Sequence, residues 1–512
     1  MKVRLSPIRI GAVFEPLKIW ESTFLRTAGL SLFGMGLALA VPFAAALMFG
    51  EPADAFMFPT VFCFVISLPL LLMVKAGGDV RPVDGLLLMF AVWGIAMAVA
   101  AVPFIWSGMS VTDGVFESVS GFTTTGSTVM YSPSYPAPMN SLILWKALIQ
   151  WIGGIAIILI FMSLFPLLGF GGRRMFRNEM SGSGSRNFTI RMRDAAKEFS
   201  VVYGILSGIF LIVCTSMGTE IFDSVCLTFS TISTGGFLPH NGNAGSYPVL
   251  VQALIVIFMF LGGTNFYLHY QRLYRKSGAG YLKNSEFRSM IIFYSAAVLI
   301  ISAMTCTVMG TDVPQHIWDV IFTVISLGTS SGIMITGIGW ATAVPAAMFV
   351  LLFLMFVGGS AGSTAGGIKI GRLVTLMKSL TLDLKERLYP RAVFDVKVGG
   401  EALDDETVSA TYVLVLLFIM TITAGTLALV ILEPLGITDA AVVSLTSVTN
   451  SGLVDPYAPG GIAAFSDGGK IAAMLLMWVG RLEIGTAIIL FTPFFWREII
   501  RGKRKIGRVE RE

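Results

Sequence analysis

Hydrophobic residues in this chain fall into ten long runs, at 24–49, 57–75, 84–107, 140–170, 199–217, 248–271, 287–310, 343–359, 407–432 and 470–495. Each comes near the roughly 20 residues that a helix needs to cross a bilayer, and none has the strict alternation of a membrane β-strand. The pattern predicts an all-α polytopic membrane protein with about ten transmembrane helices. A basic stretch precedes the first run but no small-residue cleavage site follows it, so it reads as a retained helix and not a signal peptide. Between the runs, segments 108–139, 218–247, 311–342 and 434–469 are too polar to cross and too long for plain turns.

Composition agrees with a lipid solvent: 55% of the 512 residues are hydrophobic and 13% charged, and the mean hydropathy is +0.79. The net charge of +5 would fit nucleic acid on its sign alone, but its placement reads as topology and not as nucleic-acid binding. Lys and Arg gather in alternate connections, at Lys2, Arg4, Arg9, Lys18 and Arg26; at Arg173, Arg174, Arg177, Arg191 and Arg193; at Arg272, Arg275 and Lys276; at Lys369, Arg372 and Lys378; and at Arg497, Arg501, Lys503 and Arg504. By the positive-inside rule these face the cytoplasm, with both termini inside. The four polar segments hold no Lys or Arg but carry Asp113, Glu117, Glu220, Asp223, Asp312, Asp319, Asp439 and Asp455, an acidic outer face expected to concentrate cations. Single cysteines (Cys63, Cys214, Cys226, Cys306) and scattered histidines (His240, His269, His316) offer neither a metal-ligand spacing nor a nucleophile-and-base pair, which argues against an enzyme and against a cofactor.

The polar segments repeat one another. Each has an Asp, an apolar stretch and a Ser/Thr/Gly cluster: DGVFESVSGFTTTGS from Asp113, DSVCLTFSTISTGGF from Asp223, DVIFTVISLGTSSGI from Asp319 and DAAVVSLTSVTNSGL from Asp439. Thirteen residues separate Asp113 from Gly126, twelve Asp223 from Gly235, thirteen Asp319 from Gly332 and thirteen Asp439 from Gly452. A second landmark follows 27 to 29 residues later, at Gly154, Gly263, Gly359 and, in the last repeat, Arg481. Four units of helix, half-helix, hydroxyl-rich loop and helix can close a ring. A half-helix capped by its Asp would aim its negative end at the membrane centre, where a cation is favoured. The candidate ion ligands are Thr124, Thr125 and Gly126; Ser233, Thr234 and Gly235; Ser330, Ser331 and Gly332; and Asn450, Ser451 and Gly452. Backbone carbonyls in such loops replace a hydration shell.

These residues carry a resemblance. SGFTTTGST (120–128), STISTGGF (230–237), LGGTNFYLHY (261–270), GGSAGSTAGGIKIGR (358–372) and GRLEIGTAIILFTPFFW (480–496) resemble signatures of the Trk, Ktr and HKT superfamily of potassium transporters, most closely its bacterial TrkH-type subunits. The resemblance implies pseudo-fourfold hairpins around a potassium filter at Gly126, Gly235, Gly332 and Gly452, in a homodimer with one pore per subunit. It implies an intramembrane gate over Gly358, Gly359, Gly362, Gly366 and Gly367. It also implies a bacterial inner-membrane location and a separate cytoplasmic nucleotide-binding subunit of TrkA type, expected on loops 171–198 and 369–397. Potassium is then the transported substrate. Asn450 departs from the Thr or Ser of the other loops.

The expected organisation is a two-helix extension (1–83), repeat one (84–170), repeat two (199–272), repeat three with the gating loop (287–385), repeat four (406–498) and a basic tail (499–512). Arg481 is expected to face the axis as a barrier held by loop 358–367, or else to serve structurally on carbonyls of a broken helix. Glu483 is a candidate coupling carboxylate, with packing or a salt bridge as the other reading. A cation symporter with broken helices and, more distantly, an integral membrane enzyme remain the alternatives.

Overall fold

The computed structural model describes residues 19–74, 82–164, 185–239, 243–275, 280–309, 313–337, 339–389, 395–452 and 461–499. Among them, seven helices are long and apolar enough to cross a membrane, and nine if each of two bent pairs is one span. The chain divides into two compact units, residues 1–102 with 490–512, and residues 103–489. The expected boundary at 83/84 therefore lies inside the first unit.

In the first unit, α1 (Ile19–Phe49) and α2 (Asp54–Met73) form a hairpin turned at Gly50, whose φ is +68°. A Cβ on Gly29 or Gly36 would come within 2.9 Å of Leu70 or 3.1 Å of Phe64, so the absent side chains let the two helices approach closely. Arg26 Nη1 closes the far end on Val74 O at 3.1 Å. Helix α3 (Pro82–Trp106) runs across the unit boundary.

The second unit repeats one pattern. Repeat one has the short α4 (Val111–Phe122) and the long α5 (Asn140–Leu164). Repeat two has α6 (Ser185–Ser216), the short α7 (Ile221–Ile232), α8 (Val249–Gly262) and α9 (Phe266–Tyr270). Repeat three has α10 (Ser285–Met309), the short α11 (Val313–Gly328), α12 (Pro345–Val357) and α13 (Ile370–Leu388). Repeat four has α14 (Asp405–Leu432), the short α15 (Ile437–Val448), α16 (Asp467–Arg481) and α17 (Ile484–Leu490). The last helical run of each repeat differs. Helix α5 is unbroken over its described length, α8 meets its continuation at 103°, α16 meets α17 at 117°, and α12 stops after 13 residues at Gly358. Two of the predicted straight crossings, 248–271 and 470–495, are thus broken, at Gly263 and at the positive φ of Glu483 (60°), whereas α12 ends at Gly358, where the glycine-rich stretch begins.

Polarity is distributed for lipid. Leu299, Phe349 and Ile431 are each more than 70% exposed, while Thr123, Thr125, Ser233 and Ser331 are fully buried. Aromatic packing ties repeat two together, with Phe210 edge-on to Phe258 at 5.1 Å and Tyr203 against Phe266 at 5.7 Å. The one sheet among the described residues is a hairpin, Lys397–Val398 with Glu401–Ala402, turned by Gly399 and Gly400, both with positive φ.

Candidate functional site

Four short helices end in the same way. Their C-terminal residues are followed by Thr123, Ser233, Thr329 and Thr449, and then by Thr124, Thr234, Ser330 and Asn450, which take the left-handed conformation at φ 52°, 52°, 52° and 55°. The amide one residue further on reaches back to the helix: Thr125 to Ser120 O (3.0 Å), Gly235 to Ser230 O (2.7 Å), Ser331 to Ser326 O (2.7 Å) and Ser451 to Thr446 O (3.0 Å). The amide of each left-handed residue bonds the carbonyl three residues before it, which completes a Schellman motif. That motif normally uses glycine, because a left-handed residue with a Cβ costs about 1–2 kcal/mol. Four non-glycine residues held there are therefore over-determined by their surroundings.

Glycine comes two residues later. Gly126, Gly236, Gly332 and Gly452 have φ of 87°, 80°, 72° and 67°. In repeat two the member of this register is Gly236, one residue beyond the expected Gly235, which instead aligns with Thr125, Ser331 and Ser451. With that shift the spacing from Asp to glycine is thirteen in all four repeats. A Cβ on Gly126 would overlap the carbonyl oxygen of Gly235, one on Gly236 that of Ser331, one on Gly332 that of Ser451, and one on Gly452 that of Thr125. The contacts pass from repeat one to two, two to three, three to four and four to one, so the four turns close a cycle. Glycine is needed here both for its conformation and for the approach of the neighbouring carbonyl.

The hydroxyls serve this backbone. Thr123, Ser233, Thr329 and Thr449 donate to carbonyls of their own helices at 2.7 to 2.8 Å. Thr125, Ser331 and Ser451 pair with Thr123, Thr329 and Thr449 at 2.8, 2.9 and 3.0 Å. The groups that converge between repeats are backbone carbonyls. Two turns depart from the common form. Gly235 lacks the hydroxyl of its counterparts, and Gln150 of α5 donates to its carbonyl at 2.5 Å. Asn450 donates to Thr125 Oγ1 (3.0 Å) and Met477 O (2.9 Å), spanning repeats four and one.

A second layer packs against the turns. Gly153, Gly262 and Gly480 each lie where a Cβ would press on the last carbonyl of the short helix in the same repeat, at Phe122, Ile232 and Val448. Gly154, Gly263 and Arg481 follow them and share a register. The glycine-rich loop fills the third repeat's place. Its Ser360 and Thr364 amides bond Gly263 O (2.9 Å) and Gly262 O (3.2 Å), and its Gly366 amide bonds Ser330 Oγ (2.5 Å). Thr364 Oγ1 is 3.1 Å from Thr234 Oγ1. Glu286 of α10, buried, accepts the Ala361 amide at 2.8 Å. Lys369 donates back to Ala365 O within the loop. Arg481, 3% exposed, donates to Thr364 O (2.7 Å) and more weakly to Gly153 O (3.4 Å), linking repeat four to repeats three and one.

Several expectations change. Asp113 does not cap α4; Ser110 does, accepting the Asp113 amide at 3.1 Å, while Asp223 and Asp439 lie third in their helices and Asp319 lies well inside α11. Helices begin where φ and ψ turn helical, before the acid that sequence takes as the start. The acidic segments are also less open than their composition suggests. Asp113 is buried against Lys470 at 2.6 Å, and Glu117 against Lys146 at 2.6 Å. Glu483 pairs with Arg372 at 3.0 Å. His269 and His316 bond Tyr281 and Thr305 as packed polar groups. Asp312, Asp455, His240 and Arg173 lie outside the described residues. Sequence reasoning passed over Gln150, Lys146 and Glu286. The available signal was a strongly polar residue within an apolar helix, as in LILWKALIQW.

The chain has known relatives. Residues 105–498 match the family model TrkH, described as a cation transport protein. The chain is 30% identical over 439 residues to the Trk system potassium uptake protein TrkH of Escherichia coli K12, covering 83% of this chain and 88% of that one. It is 29% identical over 497 residues to the protein of the same name from Vibrio parahaemolyticus, covering 93% and 99%. The crystal structure of the potassium transporter TrkH from Vibrio parahaemolyticus superposes with a TM-score of 0.81 at 26% identity, over 93% of this chain and 99% of that one.

Proposed function

Since this chain belongs to the TrkH family of cation transport proteins, a multi-pass membrane family, we propose that it takes up potassium through one pore encircled by its four turns. The observation that carries the reading is the closed cycle in which each repeat's glycine lies against the next repeat's carbonyl. Carbonyl oxygens from four sides replace the water around a dehydrated alkali cation. The short helices add to this, because their negative C-terminal ends converge on the same place. The names of the Escherichia coli and Vibrio parahaemolyticus relatives support potassium as the ion.

In this reading the ion passes the carbonyl ring and meets the second layer. The loop Gly358–Gly367 is the gate, and Arg481 is an electrostatic barrier that the loop's Thr364 carbonyl holds in place. Glu483 is spent on Arg372, which favours a channel-like path over a carboxylate-coupled symport. We further propose a homodimer in a bacterial inner membrane, with both termini cytoplasmic, regulated by a separate nucleotide-binding subunit on the basic face that includes α13. The test is flux from liposomes holding the purified protein. An imposed potassium gradient should dissipate faster than a sodium gradient, without a requirement for a proton gradient. Equal rates for the two ions, or no flux of either, would end the potassium reading.

A further inference from the structure

The first and last repeats meet at a seam that chain connectivity does not help to close. Thr125 and Gly452, whose contact closes the cycle, lie on repeats one and four. The same seam carries the Asn450–Thr125 bond, a weak one from Ser127 Oγ to Gly452 O (3.5 Å), and the Lys470–Asp113 ion pair. Directly behind its repeat-one side lies a second ion pair, with both side chains 0% exposed: Glu117 of α4 and Lys146 of α5.

That pair is fully engaged. Lys146 Nζ donates to Glu117 Oε2 (2.6 Å), Glu117 O (2.9 Å) and Ser127 O (3.2 Å), which uses all three ammonium donors. Glu117 Oε1 accepts from Thr128 Oγ1 (2.8 Å), the Val129 amide (2.5 Å) and the Met130 amide (3.1 Å). Four of these bonds land on residues 127–130, the stretch that leaves Gly126. The other repeats do without the charges. The counterparts of Glu117, four residues after each repeat's Asp, are Leu227, Thr323 and Val443, and the counterparts of Lys146, seven before Gly262 and Gly480, are Ile255 and Ala473. Desolvating two charges costs several kcal/mol per ion, and well-packed apolar residues hold a helix pair as well or better. Repeats two and four do so. Stability therefore does not account for the pair, and the backbone it grips does.

We propose that Glu117 and Lys146 are positioning residues for ion discrimination: they fix residues 127–130, and through them the Thr125 carbonyl that closes the ring between repeats one and four. This rests on the potassium reading above. The ion touches neither residue. Their effect is on where one carbonyl of the ring points, to which potassium over sodium selection is sensitive because the two ions differ in the cavity and coordination they favour.

The test compares parent, the doubly neutral Glu117→Gln/Lys146→Met and the milder Thr128→Val in liposomes, reading the ratio of potassium to sodium permeability. A smaller folded fraction lowers both fluxes together and leaves the ratio alone, so the ratio separates positioning from stability. The double variant should lower the ratio about fivefold and Thr128→Val about twofold, the scale of one to a few hydrogen bonds. A folded double variant with the parental ratio overturns the assignment. Where the double variant yields no folded protein, Thr128→Val decides: a lowered ratio supports the assignment and a parental ratio overturns it. A parent that passes no potassium overturns the transport reading itself, and this assignment with it.

Discussion

The ring of turns and the layer packed against it are built from the same four repeats and obey opposite rules. In the ring, four left-handed residues agree within 3° in φ and each glycine meets the next repeat's carbonyl. In the adjoining layer the repeats diverge: Gly154 and Gly263 keep the common form, repeat three inserts a glycine-rich loop, and repeat four substitutes Arg481. On the proposed function, a site that surrounds an ion evenly tolerates little variation, and a site that changes state needs an element unlike its neighbours. The loop and Arg481 are bonded to each other.

The sharpest way to break the comparison is in the ring. Gly236→Ala places a Cβ on the Ser331 carbonyl at a positive φ, and potassium flux at equal expression should fall about 100-fold, as ~3 kcal/mol of backbone strain would set. Gly235→Ser should be far milder, below about fivefold, since it restores the hydroxyl type of Ser331 and Ser451 and meets only the ends of the Gln150 and Ser233 side chains. If the two variants exchange these effects, Gly236 is not the ring glycine of repeat two. The adjoining layer should respond in the opposite sense. Arg481→Ala removes hydrogen bonds from a charged group, worth about 1.5–3 kcal/mol each, and should raise potassium flux about tenfold in a liposome assay. Unchanged flux would take Arg481 out of the pathway. The smallest expected effect is that of Thr364→Val, which loses the hydroxyl bonds to Thr234 and Gly262 and should raise flux about twofold to threefold. A fall would show that the loop's attachment to the ring helps conduction.

The fourfold plan was legible because it is written in local spacing: an Asp, an apolar stretch and a hydroxyl-rich cluster. The error in repeat two has a simple origin. Gly235 and Gly236 are adjacent, and only φ, or strict use of the thirteen-residue spacing, tells them apart. The expected Asp cap failed because Ser110 precedes it by three residues and takes the cap itself. The bend between Arg481 and Ile484 hid in an apolar run, since hydropathy carries no information about a single left-handed residue such as Glu483. The pairing of Glu117 with Lys146 was beyond reach for another reason. Both residues stood in plain view, but which acid a base meets across 29 positions is decided by how helices pack.

The cycle of glycine contacts also sets an order of construction. Gly126, Gly236 and Gly332 each rest on the repeat synthesised next, but Gly452 rests on Thr125, made more than 300 residues earlier. During synthesis the first turn must therefore wait, with one side uncovered, until the fourth repeat has left the ribosome and entered the bilayer. A nascent chain stopped before residue 437 lacks α15 and cannot finish the circle, whatever the quality of its first three repeats. Membrane quality control would meet such a chain as one with polar backbone still open to lipid.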